Sequence, residues 1–551
     1  MLWNLKKIVA KKNNQRKARK LSVEAVEPRC LLTAAIEAPA VFMPAVVPSP
    51  EVVVVALPAG EANVAVGQQS QVHASVSGGA ASIHVENSQT AITQIDAGPA
   101  HANAAVAQHT TLDVASCGGA AAISASSSQS LLAQVEGPEG RSTVIAGQSM
   151  AVEAAVSVPG VASISIGMSQ SLVAGVSTGC GGTSAFVQQS SSVSVAVSAF
   201  GQTHVSAGAS QTAAIGSFGP GGASDAFASQ STYVSADMRG GVGHIAIDTY
   251  QATAIHDGPA RTDAMIVQHS HVEAELRGAG NAQLSVQNVQ TALAQMRGGY
   301  GGASVVTSQA SWVNVQFDGC GVLELNIDEY QSVLIQSGCG PMATVVAAAQ
   351  HTGVHAVLAG MGHMQLNVGQ GQFAQVDRGW WPGAGTALVS QSNNIGASFS
   401  GIGYFATNAV EDQSLYVQNG YCPTAAVVAA NQHSEASAGF WGMGSGSLHV
   451  GQSQTALAAT DAWGGSAQAV ASQRSAVDAC FEGMGSFGLR AVTDQTVLAR
   501  ARGRGSEAVT ATNQRSAIDA CFSGWGRMHT GIETDQWLAV RAVNPPVFWI
   551  C

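Results

Sequence analysis

The feature that most constrains this chain is a glutamine that returns at fixed spacing, each time inside an alternating run. Around Gln309, the residues Val305, Thr307, Ser311, Val313, Val315 and Phe317 share its parity, and Gly319-Cys320-Gly321 follows. The frame recurs at Gln68, Gln89, Gln108, Gln129, Gln148, Gln170, Gln189, Gln211, Gln230, Gln251 and Gln268. It continues at Gln290, Gln309, Gln331, Gln350, Gln372, Gln391, Gln413, Gln432, Gln454, Gln473, Gln495, Gln514 and Gln536. From Gln268 onward a long step, as from Gln268 to Gln290, alternates with a short one, as from Gln290 to Gln309. The larger unit therefore spans two glutamines, from Gln268 to Gln309 and from Gln309 to Gln350. Upstream the steps drift, most visibly around Gln251, but the alternation survives. Such a period marks a repeat architecture.

Alternation at period 2 selects strands over helices. Ile164, Ile166, Met168, Gln170, Leu172, Ala174 and Val176 share one parity, with Ser, Gly and Val between them. The glutamine therefore lies on the face of the aliphatic residues. A buried primary amide must satisfy two N–H groups and one oxygen, and a stack of identical amides does so along the array. The expected ladder comprises Gln290, Gln309, Gln331, Gln350, Gln372, Gln391, Gln413, Gln432, Gln454, Gln473, Gln495 and Gln514. After alternate glutamines comes Gly-x-Gly with a large apolar centre, as in Gly360-Met361-Gly362, Gly442-Met443-Gly444 and Gly524-Trp525-Gly526, which reads as a turn.

Composition fits a thin core. Only 10% of the 551 residues are charged, 63 are glycine, and the apolar residues are mostly Ala and Val. Residues 1–30 hold nine Lys or Arg against two Glu, whereas the remainder holds 14 Arg against 32 acids and no lysine. An acidic array does not suit nucleic acid, whose phosphates call for clustered basic residues. No apolar run is long enough for a membrane-spanning helix.

The organisation expected is a basic leader over 1–35, a Pro/Ala/Val linker over 36–61, the repeat array over 62–543, and a tail over 544–551 that could cap the last strand. Leader and linker are expected to be disordered. Within the leader, Val26-Glu27-Pro28-Arg29-Cys30-Leu31-Leu32 resembles the LEPR-XLL element of large secreted or surface repeat proteins, found often in planctomycetes. Glu27, Pro28, Arg29, Leu31 and Leu32 carry the match as a sorting motif, and Val26 replaces the usual Leu. The resemblance implies export and a secreted or cell-surface location.

Strand, glutamine, strand and glycine turn within a single glutamine-to-glutamine step resembles the curlin repeat of curli-type fibres. That resemblance implies a β-solenoid and a functional-amyloid-like assembly. The fold class expected is thus all-β: an elongated β-solenoid of about 24 strand-arc-strand rungs, roughly 115 Å long at ~4.8 Å per rung. Two other architectures remain open. One is an up-and-down membrane barrel, which would place either the amides or the polar residues in lipid. The other is a larger β-helix whose coil takes in the whole double repeat.

Nine cysteines occur without CxxC spacing. If two rungs separate Cys480 from Cys521, they stand ~9–10 Å apart, beyond disulfide reach. No nucleophile, Walker, Rossmann or HExxH motif is present. His269 and His271, with Glu273 and Glu275 beyond, share a strand face that reads as solvated rather than metal-binding, and Asp478 and Asp519 read as copied sequence. No enzyme activity, metal or cofactor is expected. Two function classes remain: a structural protein of the envelope or matrix that self-assembles into rods or fibres, and an adhesin contacting a cell surface or polysaccharide. For the second, Trp380, Trp381, Trp441, Trp463 and Trp525 fall in expected turns, where aromatic rings can stack on sugars.

Overall fold

A computed structural model describes residues 51–57, 62–78, 80–97, 101–137, 141–178, 181–218, 223–257, 261–296, 303–337, 344–378, 384–422, 426–463, 466–504 and 508–543. The basic leader with its Glu27–Leu32 motif and the 544–551 tail lie outside them. The described chain is all-β. It opens with β1 (Glu51–Leu57), β2 (Ala62–Ser77), β3 (Ala81–Ala97), β4 (Ala102–Cys117), β5 (Ala121–Gly137), β6 (Ser142–Val158) and β7 (Ala162–Thr178). Strand β1 falls within the expected linker, where a run of valines pairs in parallel with β3. Longer strands follow: β8 (Thr183–Phe218), β9 (Ala223–Asp257), β10 (Arg261–Met296), β11 (Ala303–Ser337) and β12 (Thr344–Arg378). The last are β13 (Gly385–Cys422), β14 (Ala426–Trp463), β15 (Ala467–Arg504) and β16 (Ala508–Val543).

Every strand pairing among the described residues is parallel, and the registers give the coil. Gln309 stands beside Gln268 and Gln350, and Gln331 beside Gln290 and Gln372. From Gln268 onward each glutamine thus meets its counterpart 41 positions away. Earlier coils are 40 residues, as from Gln68 to Gln108, or 41, and shorten to 38 between Gln230 and Gln268 and 39 between Gln251 and Gln290. In the first three coils two shorter strands, such as β2 and β3, make one turn of chain; from β8 onward a single long strand makes the whole turn. Strand β8 pairs with β6 along Thr183–Ala199 and with β7 along Thr203–Phe218, so two stacked rows merge into one 16-stranded sheet.

The chain does not form the expected solenoid of 24 short rungs. The repeat forms twelve long coils, and part of the sheet closes into a four-strand parallel barrel instead of continuing as an open 24-rung stack. The physical reason lies at the glutamine. A short rung needs an arc there, yet alternating β-compatible residues flank most of the glutamines, and even where glycine is adjacent, as at Gly147-Gln148 and Gly371-Gln372, the strand runs straight through. The stack is correspondingly about 55 Å tall at ~4.8 Å per coil, and each half-coil, the length of β3, is itself about 55 Å wide. In place of the expected rod stands a broad, flattened tube.

The same correction applies to the cysteines. Cys480 and Cys521 occupy one register position on neighbouring coils, with Cα atoms 4.7 Å apart, and form a disulfide.

The Gly-x-Gly segments lie within continuous strands at the corner where a coil passes from one half to the other. Gly362 has φ +139°, and a Cβ there would stand 1.9 Å from the Gly321 carbonyl oxygen of the coil before. Glycine is required both by its backbone angle and by this close approach. The central residues Met361, Ile402, Met443, Met484 and Trp525 are exposed along that corner.

Inward and outward positions follow parity. Val346 is fully buried, whereas the adjacent Val345 faces solvent. The core divides into two apolar compartments. One, running to the glycine corner, contains Val313, Val315, Phe317, Leu323, Leu325 and Ile327. The other, on the far side of the glutamines, contains Val305, Val333, Ile335, Val346 and Ala348. Near the C-terminal end the first compartment is filled by Phe399, Phe405, Phe440, Phe481 and Phe487, in successive ring contacts of 4.8–5.4 Å.

Candidate functional site

The most regular chemical feature is the septum of amides between these compartments. One row runs Gln68, Gln108, Gln148, Gln189, Gln230, Gln268, Gln309, Gln350, Gln391, Gln432, Gln473 and Gln514. The opposite row runs Gln89, Gln129, Gln170, Gln211, Gln251, Gln290, Gln331, Gln372, Gln413, Gln454, Gln495 and Gln536. Within each row, the Nε2 of one glutamine donates to the Oε1 of the glutamine one coil earlier. Examples are Gln309 to Gln268 at 2.6 Å, Gln391 to Gln350 at 2.8 Å and Gln331 to Gln290 at 2.9 Å. The step is unbroken from Gln514 back to Gln68 and from Gln536 back to Gln89.

The second N–H crosses the core. Gln309 Nε2 also donates to the Ser332 carbonyl at 3.2 Å, and Gln331 Nε2 to the His351 carbonyl at 3.0 Å. In each case the acceptor is the residue just after the next glutamine in the chain. The two rows are thereby stitched together, and both hydrogens of each interior amide are used.

Sequence parity also buries a second polar row, two positions before the glutamines of the second ladder. Asn288, Glu329, Gln370, Glu411 and Gln452 are all buried. Gln370 Nε2 donates to Glu329 Oε2 at 2.8 Å, Gln452 Nε2 to Glu411 Oε2 at 3.3 Å, and Ser311 Oγ to Glu329. Burial pushes Glu329 up to about 7 and Glu411 up to about 8, against hydrogen bonds that favour the ionised form. Glu329 and Glu411 share parity with Gln331 and Gln413, which is the signal by which the sequence could have placed them inside.

The ladders have direction. All donate toward the N-terminal end, so among the described residues the first coil presents one amide N–H each at Gln68 and Gln89, and the last presents Oε1 acceptors at Gln514 and Gln536. Among the described residues β16 pairs only with β15, and β2 only with β4, while β1 covers Ala91–Ala97 of the first coil. On β16, Trp525, Ile532, Trp537, Leu538 and Val540 are exposed.

Other expected positions are less convergent. His269 and His271 lie on the outer face, where partial burial lowers both imidazoles, and His271 stacks on Tyr233 at 5.5 Å. Among the described residues no three His, Cys, Asp or Glu side chains are grouped to hold a metal. No helix there is long and apolar enough to cross a membrane. Trp380 and Trp381, and the side chain of Trp463, lie outside the described residues. Trp441 and Trp525 sit within strands at the glycine corner rather than in loops.

No protein-family model, curated protein or solved structure matches this chain.

Proposed function

We propose that this is a structural repeat protein of the cell surface or extracellular matrix, in which the wound double sheet is itself the working part and grows by end-to-end stacking of copies. The observation that carries this reading is the common polarity of the two glutamine ladders. Donors at Gln68 and Gln89 of one copy match acceptors at Gln514 and Gln536 of another, so both ladders continue across the junction. Such a head-to-tail contact does not close and yields a filament. The edge of β16 supplies backbone groups for the same junction. The basic leader and its Glu27-Pro28-Arg29 and Leu31-Leu32 residues, similar to the LEPR-XLL element, support export. The resemblance to curlin rests on the alternation and the glutamine rows, with a coil twice as long.

Strand β1 occupies part of the edge that an incoming β16 would take, and stacking displaces it. The test is fibre growth by the purified full chain, followed by electron microscopy and fibre diffraction. Filaments with a 4.7–4.8 Å meridional repeat, roughly the strand spacing, are expected. A truncation beginning at residue 58 should grow faster, and the Gln514→Leu/Gln536→Leu double variant slower. Full-length chain and truncation that both stay monomeric at high concentration would contradict the reading.

A further inference from the structure

Well away from the coil ends, on the outer face of β11–β15, two tryptophans lean into one shallow groove. Trp312 on β11 and Trp441 on β14 stand at its two ends, 37% and 45% exposed. Each indole is seated against a glycine. Trp312 reaches sideways onto the next coil, where its Cε3 and Cζ3 lie 2.4 and 2.5 Å from the place a Cβ on Gly353 would take. It also rests on His351, with ring centroids 4.4 Å apart. Trp441 folds back along its own strand, and its Cη2 lies 2.4 Å from the place a Cβ on Gly439 would take.

Gly396 lies between them and completes a diagonal. Trp312 and Gly353 are in register, as are His355 and Gly396, and Ser398 and Gly439. Each glycine is thus one coil and a further step of the same parity beyond the last. The diagonal lowers the floor over about 16 Å from Gly353 to Gly439 on the strand grid, and side chains of neighbouring positions lean over it: an indole at each end, and His355 Nδ1 at 3.1 Å from the place a Cβ on Gly396 would take. The groove encloses about 580 Å³, and polar groups stand along it: Asn314, His355, Asn394, Glu435, Ser437 and Asp478.

We infer that this groove binds a short stretch of a neutral polysaccharide, with a sugar ring against each indole and the hydroxyls of the intervening units bonded to the amides, hydroxyls and carboxylates between them. Four observations select this occupant. The indoles are held in place before any ligand arrives, so little side-chain freedom is lost on binding. The spacing of the platforms suits an extended chain of several linked rings and exceeds a single small molecule. The backbone beneath is paired coil to coil through β11–β15, leaving no edge for an added peptide strand. Glu435 and Asp478 line the groove with no Lys or Arg among its walls, which disfavours nucleic acid and polyuronates alike. Carboxylates and amides suit the hydroxyls of uncharged sugars. This inference is independent of stacking, because it uses the sheet face and not the coil ends.

The test is binding of the full chain to soluble β-glucan, mannan and chito-oligosaccharides, with polygalacturonate as the anionic comparator, by calorimetry and affinity electrophoresis. At least one neutral polymer should bind and polygalacturonate should not. Trp312→Ala and Trp441→Ala should each weaken binding, and the pair together about tenfold or more. Gly396→Val should block the floor, while Trp525→Ala at the glycine corner should leave binding unchanged. Both tryptophans are surface groups, and an unaltered melting temperature checks that the variants remain folded. Absence of binding to all three neutral polymers, undiminished binding by the double variant, or preference for polygalacturonate would overturn the inference.

Discussion

Gln370 and Glu411 stand in register on neighbouring coils, and the Oε1 atom of each is buried without a hydrogen-bond partner among the described residues. Two acceptors side by side are unfavourable, but a carboxylic acid is also a donor. With a proton on Glu411 Oε1, the acid bonds Gln370, and the row Glu329, Gln370, Glu411, Gln452 becomes continuous. Burial, which pushes Glu411 up to about 8, favours that protonated form at neutral pH.

Stability should therefore fall with rising pH. The folded chain holds its proton on Glu411 up to about 8, whereas the unfolded chain releases it near the ordinary value of 4.5. Between these values the folded state binds more protons, so the contribution is full below 4.5 and is lost as pH rises to about 8. Glu329 acts likewise, between 4.5 and about 7. Denaturant melts of the Glu411→Gln variant should show a flatter pH profile and a gain on the order of a few kcal/mol over the parent at about pH 9. Parallel profiles for the two proteins would remove the neutral acid from the account.

Interior and terminal glutamines should differ. Gln391 donates to Gln350 Oε1 and the Ser414 carbonyl and accepts from Gln432, so Gln391→Leu strands polar groups on both neighbouring coils. Each buried group left unpaired costs about 1–3 kcal/mol. Gln68→Leu, at the first coil, leaves only Gln108 and the Thr90 carbonyl without it. A larger melting shift is expected for Gln391→Leu; equal shifts would mean that the rows do not act as ladders.

At the corner, Gly362→Ala should be among the most damaging single methyl additions. The new Cβ would stand 1.9 Å from a backbone oxygen at φ +139°, and neither strand can yield without breaking the coil pairing. Gly451→Ala, with open space around its Cβ position, should be nearly silent. Comparable thermal melts for both would place the corner elsewhere.

Much of this architecture is legible in the chain. Parity places Val346 inside and Val345 outside, and it puts the glutamines among the aliphatic residues. Coil length is harder to read, because the step from one glutamine to the next describes one long half-coil or one short rung equally well. The distinguishing signal is that Gly360-Met361-Gly362 and its relatives recur only after alternate glutamines, and that Cys480 and Cys521 repeat at the same interval. A corner used once for every two glutamines implies a coil that holds both. Of the Trp312–Trp441 groove only Trp441 is legible, as an aromatic residue beside a Gly-x-Gly segment; its pairing with Trp312 is not. The groove's ends are brought together by a diagonal across four coils, which depends on register and on glycines whose only signature is a missing side chain.

The most direct measurement is the shape of a single particle in the electron microscope. Twelve long coils predict a broad, flattened particle, about 55 Å along the stacking axis and about 55 Å along the strands, with a thickness set by two sheets ~10 Å apart. A narrow rod about 115 Å long, the dimension of 24 short rungs at the same spacing, would contradict the account.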